Sequence, residues 1–316
     1  MKEETRLEYL KLANHFIKTV QEKHGTDKVS PSTYIQELEL RAYSTTPAYW
    51  RRLRNALNTY AIENLSGKYR YAYKTLENPV TKNGLKNIPS DIKAKISKRK
   101  KANSMSEKEF NKIKDSANDE STKAVMDIVS ITGCRPAEIP TIKINDDGTL
   151  TIKSAKKDEA DSRGLDRTIK IDDMEKYSSV VNGLLTIKAE ANASAISESK
   201  LMDRVKDRFS YAAKRAYPKR KGICLYTLRH QVGAELKASG MERKEIAYLM
   251  GHRVTASVDV YGNSSSKNAR RGGACMRAAD RSELAQVKEN HKSPEMAHAA
   301  SKTLGKSNTR GASFDY

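Results

Sequence analysis

Cysteine is scarce in this sequence and does not form a framework. Cys134, Cys224 and Cys275 are the only three. They make no CxxC pair and lie at no Cys/His spacing suited to zinc. A disulfide scaffold and a zinc centre are thereby excluded, and neither a metal nor a cofactor is expected. A sparse, odd count fits free thiols in a reducing compartment, so the expected location is cytoplasmic. Long apolar runs are missing too, none approaching the ~20 residues of a membrane span. The first sixteen residues are charged and helical in pattern, unlike a secretory leader, and no basic amphipathic segment with exposed aromatics suits a membrane surface. Acidic residues are the third shortage: 39 stand against 59 lysines and arginines, a formal charge of +20. An excess that large favours a polyanionic partner, nucleic acid first, over the alternative of a merely solvated basic surface.

What is present divides along the chain, whose 316 residues suffice for two domains. Leu7, Leu10, Ala13, Phe16, Ile17 and Val20 recur at helical spacing. Tyr34, Leu38 and Leu40 begin a second apolar face, and residues 49–65 a third around Trp50. Residues 1–80 thus read as a helical domain. From 81 to 103 the chain is polar, with breakers and a K-R-K-K cluster at 98–101, and reads as a basic linker. A second domain spans 104–270. Ser106 is its first helix cap, Val125, Ile128 and Val129 an apolar stripe, and Gly133 a helix stop. Residues 141–144, 149–152 and 168–171 predict three short strands, the first two joined by Asp147-Gly148. Helical stripes follow at Leu225–Leu228–Val232–Leu236, at Ile246–Leu249–Met250 and at Val254–Val258–Tyr261. Residues 271–316 form a tail in which 276–287 predicts a helix docking on a neighbouring subunit. The fold class expected is mainly α with a small β-sheet (α+β).

Four clusters in the second half carry chemistry. They are T-G-C-R-P-A-E (132–138), Y-T-L-R-H-Q (226–231), L-M-G-H (249–252) and V-Y-G (260–262). Arg229 precedes His252 by 23 positions, and His252 precedes Tyr261 by 9. Two guanidiniums and an imidazole suit a phosphodiester, whose two non-bridging oxygens share one charge. A tyrosine beside them can be the nucleophile. The set points to breaking and rejoining DNA.

In these clusters the sequence resembles the tyrosine recombinase (phage integrase) family, closely from about 104 to 261 and loosely before that. The resemblance implies a helical core-binding domain and a mixed α/β catalytic domain, which together clamp double-stranded DNA at specific recombination sites. It implies that Tyr261 attacks the scissile phosphate, giving a 3′-phosphotyrosyl link and a free 5′-hydroxyl without ATP or metal. Arg135 and Arg229 would clamp the non-bridging oxygens. His252 would bond the phosphate or take the tyrosine proton. A lysine in I-K-S-A-K-K (152–157) would protonate the leaving oxygen, with Lys156 favoured over Lys157 and Lys153. Four protomers would exchange strands through a Holliday junction, with room for an accessory DNA-bending or directionality protein, to integrate or excise a mobile element.

One position departs from the family pattern. Three residues before Arg229, where histidine is usual, stands Tyr226, a phenol that can donate a hydrogen bond but carries no positive charge. Slower or more tightly regulated cleavage is expected from it. Two other readings stay open: a type IB topoisomerase, which shares the tyrosine chemistry but pairs no sites, and a catalytically weak DNA-binding protein of the same fold. A generic RNA-binding protein would leave the spacing of the four clusters unexplained.

Overall fold

The computed structural model describes residues 1, 3–82, 104–157, 163–261, 268–269 and 275–289. The basic cluster at 98–101 and the tail beyond 289 lie outside the described residues. The chain divides into two compact units, residues 1–99 and 100–316.

The first unit is a helical bundle of α1 (Glu3–His24), α2 (Pro31–Arg41) and α3 (Pro47–Asn64). Ser30 and Thr46 cap α2 and α3, each followed by a proline whose missing N–H costs nothing in a first helical turn. Phe16, Val20, Leu38, Trp50, Leu53 and Leu57 form its core, and the Trp50 indole donates to the Leu38 carbonyl at 2.7 Å. Leu7 and Leu40, expected on the apolar faces, are exposed; Leu40 stands two residues after buried Leu38 and so falls on the opposite side of α2. A 3-10 turn at Gly67–Tyr71 follows, with the Lys68 ammonium 5.2 Å from the centre of the Tyr69 ring and the Arg70 guanidinium 5.8 Å from that of Tyr71.

The second unit is mainly helical around a small antiparallel sheet, the α+β class expected. Ser106 and Glu109 form a capping box that opens α4 (Glu107–Asp115). Next comes α5 (Glu120–Thr132), whose Val125, Met126, Ile128 and Val129 are all buried, a broad apolar face turned to the core. Helices α6 (Met174–Ala193) and α7 (Glu198–Ala216) follow the sheet's first three strands, and α8 (Leu225–Ala238) and α9 (Arg243–Leu249) come after them. Gly183 of α6 lies directly on Ile128 of α5, where an added Cβ would sit 3.1 Å away. The sheet runs in the order β1 (Lys143–Ile144), β2 (Leu150–Ile152), β3 (Arg167–Ile171) and β4 (Met276–Ala278). All its pairings are antiparallel.

Two expectations need correction. The segment 276–287 is not a helix: Met276 and Ala278 point inward and Arg277 outward, a two-residue period that suits an edge strand, and β4 pairs with β3 of its own chain. A 3-10 turn at Arg281–Gln286 completes it. The stripe Val254–Val258–Tyr261 likewise winds as a 3-10 turn (Thr255–Val260), with Tyr261 just past its end. Among the described residues no helix is long and apolar enough to cross a membrane.

Candidate active site

Local structure delivers each motif residue to one place. Gly133 ends α5 in the left-handed region at φ 61°, so the chain reverses and presents Arg135 at the start of a 3-10 turn (Pro136–Thr141). There the Arg135 backbone N–H donates to Glu138 Oε2 at 2.9 Å and its guanidinium to Oε1 at 2.5 Å. Arg229, from the first half of α8, is 0% exposed and donates to the carbonyls of Gly133 and Met250, tying the ends of α5 and α9 together. Gly251, also left-handed, turns the chain after α9 so that the His252 N–H donates to Ala247 O at 2.8 Å. The imidazole Nε2 then lies 3.2 Å from the Arg229 guanidinium.

Tyr261 closes the group from above. Its ring lies over Arg229, 4.9 Å from the guanidinium carbon, and 4.9 Å and 5.0 Å from the rings of His252 and His230. Lys237 of α8 donates to its carbonyl. Gly233 makes room beneath it, since a Cβ there would stand 3.0 Å from the Tyr261 Cβ. The structure thus gathers Arg135, Arg229, His252 and Tyr261, separated by more than a hundred positions of sequence.

Lys156 and Tyr226 adjoin this group on the Arg135 side. A cleft of about 430 Å³ is lined by Arg135, Lys156, Lys206 and Tyr226 over a floor including Pro136 and Leu225. Lys156 is exposed in the turn after β2, and its ammonium has no hydrogen bond or ion pair among the described residues. Lys157 is paired with Asp166 at 2.9 Å. Of the three lysines considered, Lys156 is the one that lines the cleft.

Charge in the site is set by burial and by a residue absent from the motifs. Arg167, the first residue of β3, is 1% exposed and donates to Glu138 Oε2 at 3.0 Å. Burial works against ionisation of Glu138, but Arg167 first and Arg135 second outweigh it and hold the carboxyl down at about 2. Burial, reinforced by Arg229, Arg135 and Arg167, pushes the His252 imidazole down to about 2, so the ring is neutral. Since a guanidinium can only donate, His252 Nε2 accepts from Arg229 and the ring proton resides on Nδ1. That N–H has no partner among the described residues. Such a site can hold an anionic, tetrahedral oxygen group beside a phenol. Among the described residues no cluster of His, Cys, Asp and Glu suits a metal ion.

The model of the phage integrase family matches residues 103–268, more than half of the chain. The chain belongs to the phage integrase family, the tyrosine-type site-specific recombinases. Its fold is similar to solved structures of lambda integrase. One, residues 75–356 as a dimer bound to a COC′ core site, is 16% identical with a TM-score of 0.55, over 86% of this chain and 92% of that one. Another, a tetramer bound to a Holliday junction, is 16% identical with a TM-score of 0.50, over 82% of this chain and 72% of that one. At such identity the likeness establishes the fold. Among curated protein sequences nothing matches.

Proposed function

We propose that this integrase-family chain cleaves and rejoins DNA at specific sites through a 3′-phosphotyrosyl link on Tyr261, exchanging strands within a tetramer by way of a Holliday junction to integrate or excise a mobile element. The observation that carries the reading is the Tyr261 ring packed on Arg229 and His252 with Arg135 alongside. In the proposed step the Tyr261 oxygen bonds to phosphorus as the bond to the 5′ oxygen breaks. The phenol proton passes to solvent water, and Lys156 gives a proton to the departing 5′ oxygen. Arg135 meets a non-bridging oxygen, and the His252 Nδ1–H donates to the phosphate. Arg229 is fully covered in this conformation, so the entering phosphate lifts the tyrosine ring from the guanidinium face. Tyr226 donates a neutral hydrogen bond at the position where histidine is usual in the family pattern. Residues 1–80 act as the core-binding domain, and an accessory DNA-bending or directionality protein completes the expected partners.

The reading is tested by incubating the protein with a pool of nicked duplex fragments, denaturing, and sequencing the DNA that remains attached. Attachment by the native chain and its loss in Tyr261→Phe are expected. Attachment that persists in Tyr261→Phe contradicts the assignment. Exchange between two DNA molecules then separates a recombinase from a topoisomerase.

A further inference from the structure

Arg167 is not part of any motif, and its burial forbids contact with DNA. Its side chain is 0% exposed. A buried guanidinium normally has its donors satisfied, yet Arg167 Nε and Nη1 have no hydrogen-bond partner among the described residues. Among the described residues its one ion pair is with Glu138 Oε2. Glu138 in turn gives Oε1 to Arg135 and accepts a weaker bond from the Ala155 N–H at 3.3 Å, in the turn that carries Lys156. The neighbouring Asp166 accepts from the Ser154 N–H at 2.7 Å, so the start of β3 holds that turn from both sides. The far end of Arg167 lies beneath Gly251, where a Cβ would stand 2.8 Å from Nη1. A larger residue before His252 would crowd Arg167 and the Leu165 carbonyl and would be strained at φ 62°.

We infer that Arg167 is a positioning residue for strand cleavage, acting through Glu138 to leave the positive charge of Arg135 available to the scissile phosphate. The inference rests on the reading of Arg135 as a phosphate clamp. Arg135 and Glu138 alone form a neutral pair, directed but electrically spent. With Arg167 on the other carboxylate oxygen the trio carries one net positive charge, and the carboxylate fixes the Arg135 direction without cancelling its field. A buried cation is costly to keep, and a role in orienting charge accounts for its retention in place of an apolar side chain.

The test compares binding and covalent attachment on the nicked site identified by trapping, using Arg167→Met, Arg167→Lys and the double variant Arg167→Met with Glu138→Gln. Thermal melting of each variant shows whether it folds. Arg167→Met is expected to slow attachment by about tenfold to a hundredfold, with affinity for the site changed by only about twofold. Arg167→Lys should recover part of the rate. The double variant, which restores one net positive charge, should attach faster than Arg167→Met. Overturning results are normal attachment by Arg167→Met, or further loss in the double variant while both proteins melt cooperatively. Should Arg167→Met not fold, the double variant decides: a folded, active double variant supports compensation of charge, and a folded, inactive one overturns it. Failure of the native chain to attach would instead remove the phosphate-clamp reading itself, and this inference with it.

Discussion

Three arginines, Arg135, Arg167 and Arg229, stand around the carboxylate of Glu138, and their fields reach His252. The balance makes the site sensitive to acid in a defined sense. Both shifted groups bind fewer protons folded than unfolded. For His252, stability is fully present above its ordinary value of 6.5 and falls with decreasing pH from there toward about 2. For Glu138 the loss begins below 4.5 and runs toward about 2. Urea unfolding of the native chain should therefore show stability declining below pH 6.5, and His252→Gln should lose that slope between 6.5 and 4.5; an unchanged slope would contradict a buried neutral imidazole. A second prediction concerns Tyr226. Tyr226→His supplies a charge-assisted hydrogen bond in place of a neutral one, worth about a fivefold gain in attachment rate at pH 6. Equal or slower attachment would contradict a role for this position at the phosphate. Arg135, Arg229, His252 and Tyr261 were legible from order and spacing. Arg167 was not, although one signal existed: in R-T-I-K-I the two-residue period puts Arg167 on the same face as Ile169 and Ile171, and a charge on the buried face asks for a partner.

Among the elements, the helices and strands with a clear period were legible, and those closing the domain less so. Ser106, Gly133 and the Asp147-Gly148 turn mark their boundaries because cap and turn geometry admits few residue types. Helices α6 and α7 carry none of the four motifs, yet α7 has its own signal: Ser197 caps it and Leu201, Val205 and Phe209 recur along it. For β4 the short alternation Met276–Arg277–Ala278 was outweighed by a helix-like composition. Tertiary pairing with β3 decided it. Gly133 matters more than Gly240, also left-handed, for a reason visible in its surroundings. A Cβ there would meet Val232 Cγ1 at 2.9 Å, whereas one at Gly240 would meet nothing within 4 Å. Gly240→Ala should cost about 1 kcal/mol, the backbone strain alone, and Gly133→Ala about 2–4 kcal/mol, strain plus crowding. Equal costs in urea unfolding would contradict the packing at the end of α5.

Taken whole, the molecule is two separate cores carrying a formal charge of +20. Charge on that scale implies affinity through phosphates and says nothing of sequence. Neutralising 6–10 phosphates would weaken binding by roughly 10³–10⁵ between about 50 and 200 mM salt, and a titration by fluorescence anisotropy checks it. A response of less than about tenfold would contradict an interface built on backbone contacts. The target sequence depends on a few side chains meeting base edges, which neither charge nor period reveals. The central claim is narrower: one tyrosine becomes bonded to the 3′ phosphate. Digesting the trapped protein–DNA complex with nuclease and protease, and locating the residual nucleotide by mass spectrometry, tests it most directly. The account predicts a 3′-phosphonucleotide on Tyr261. A nucleotide found on Tyr226 or any other residue would contradict it.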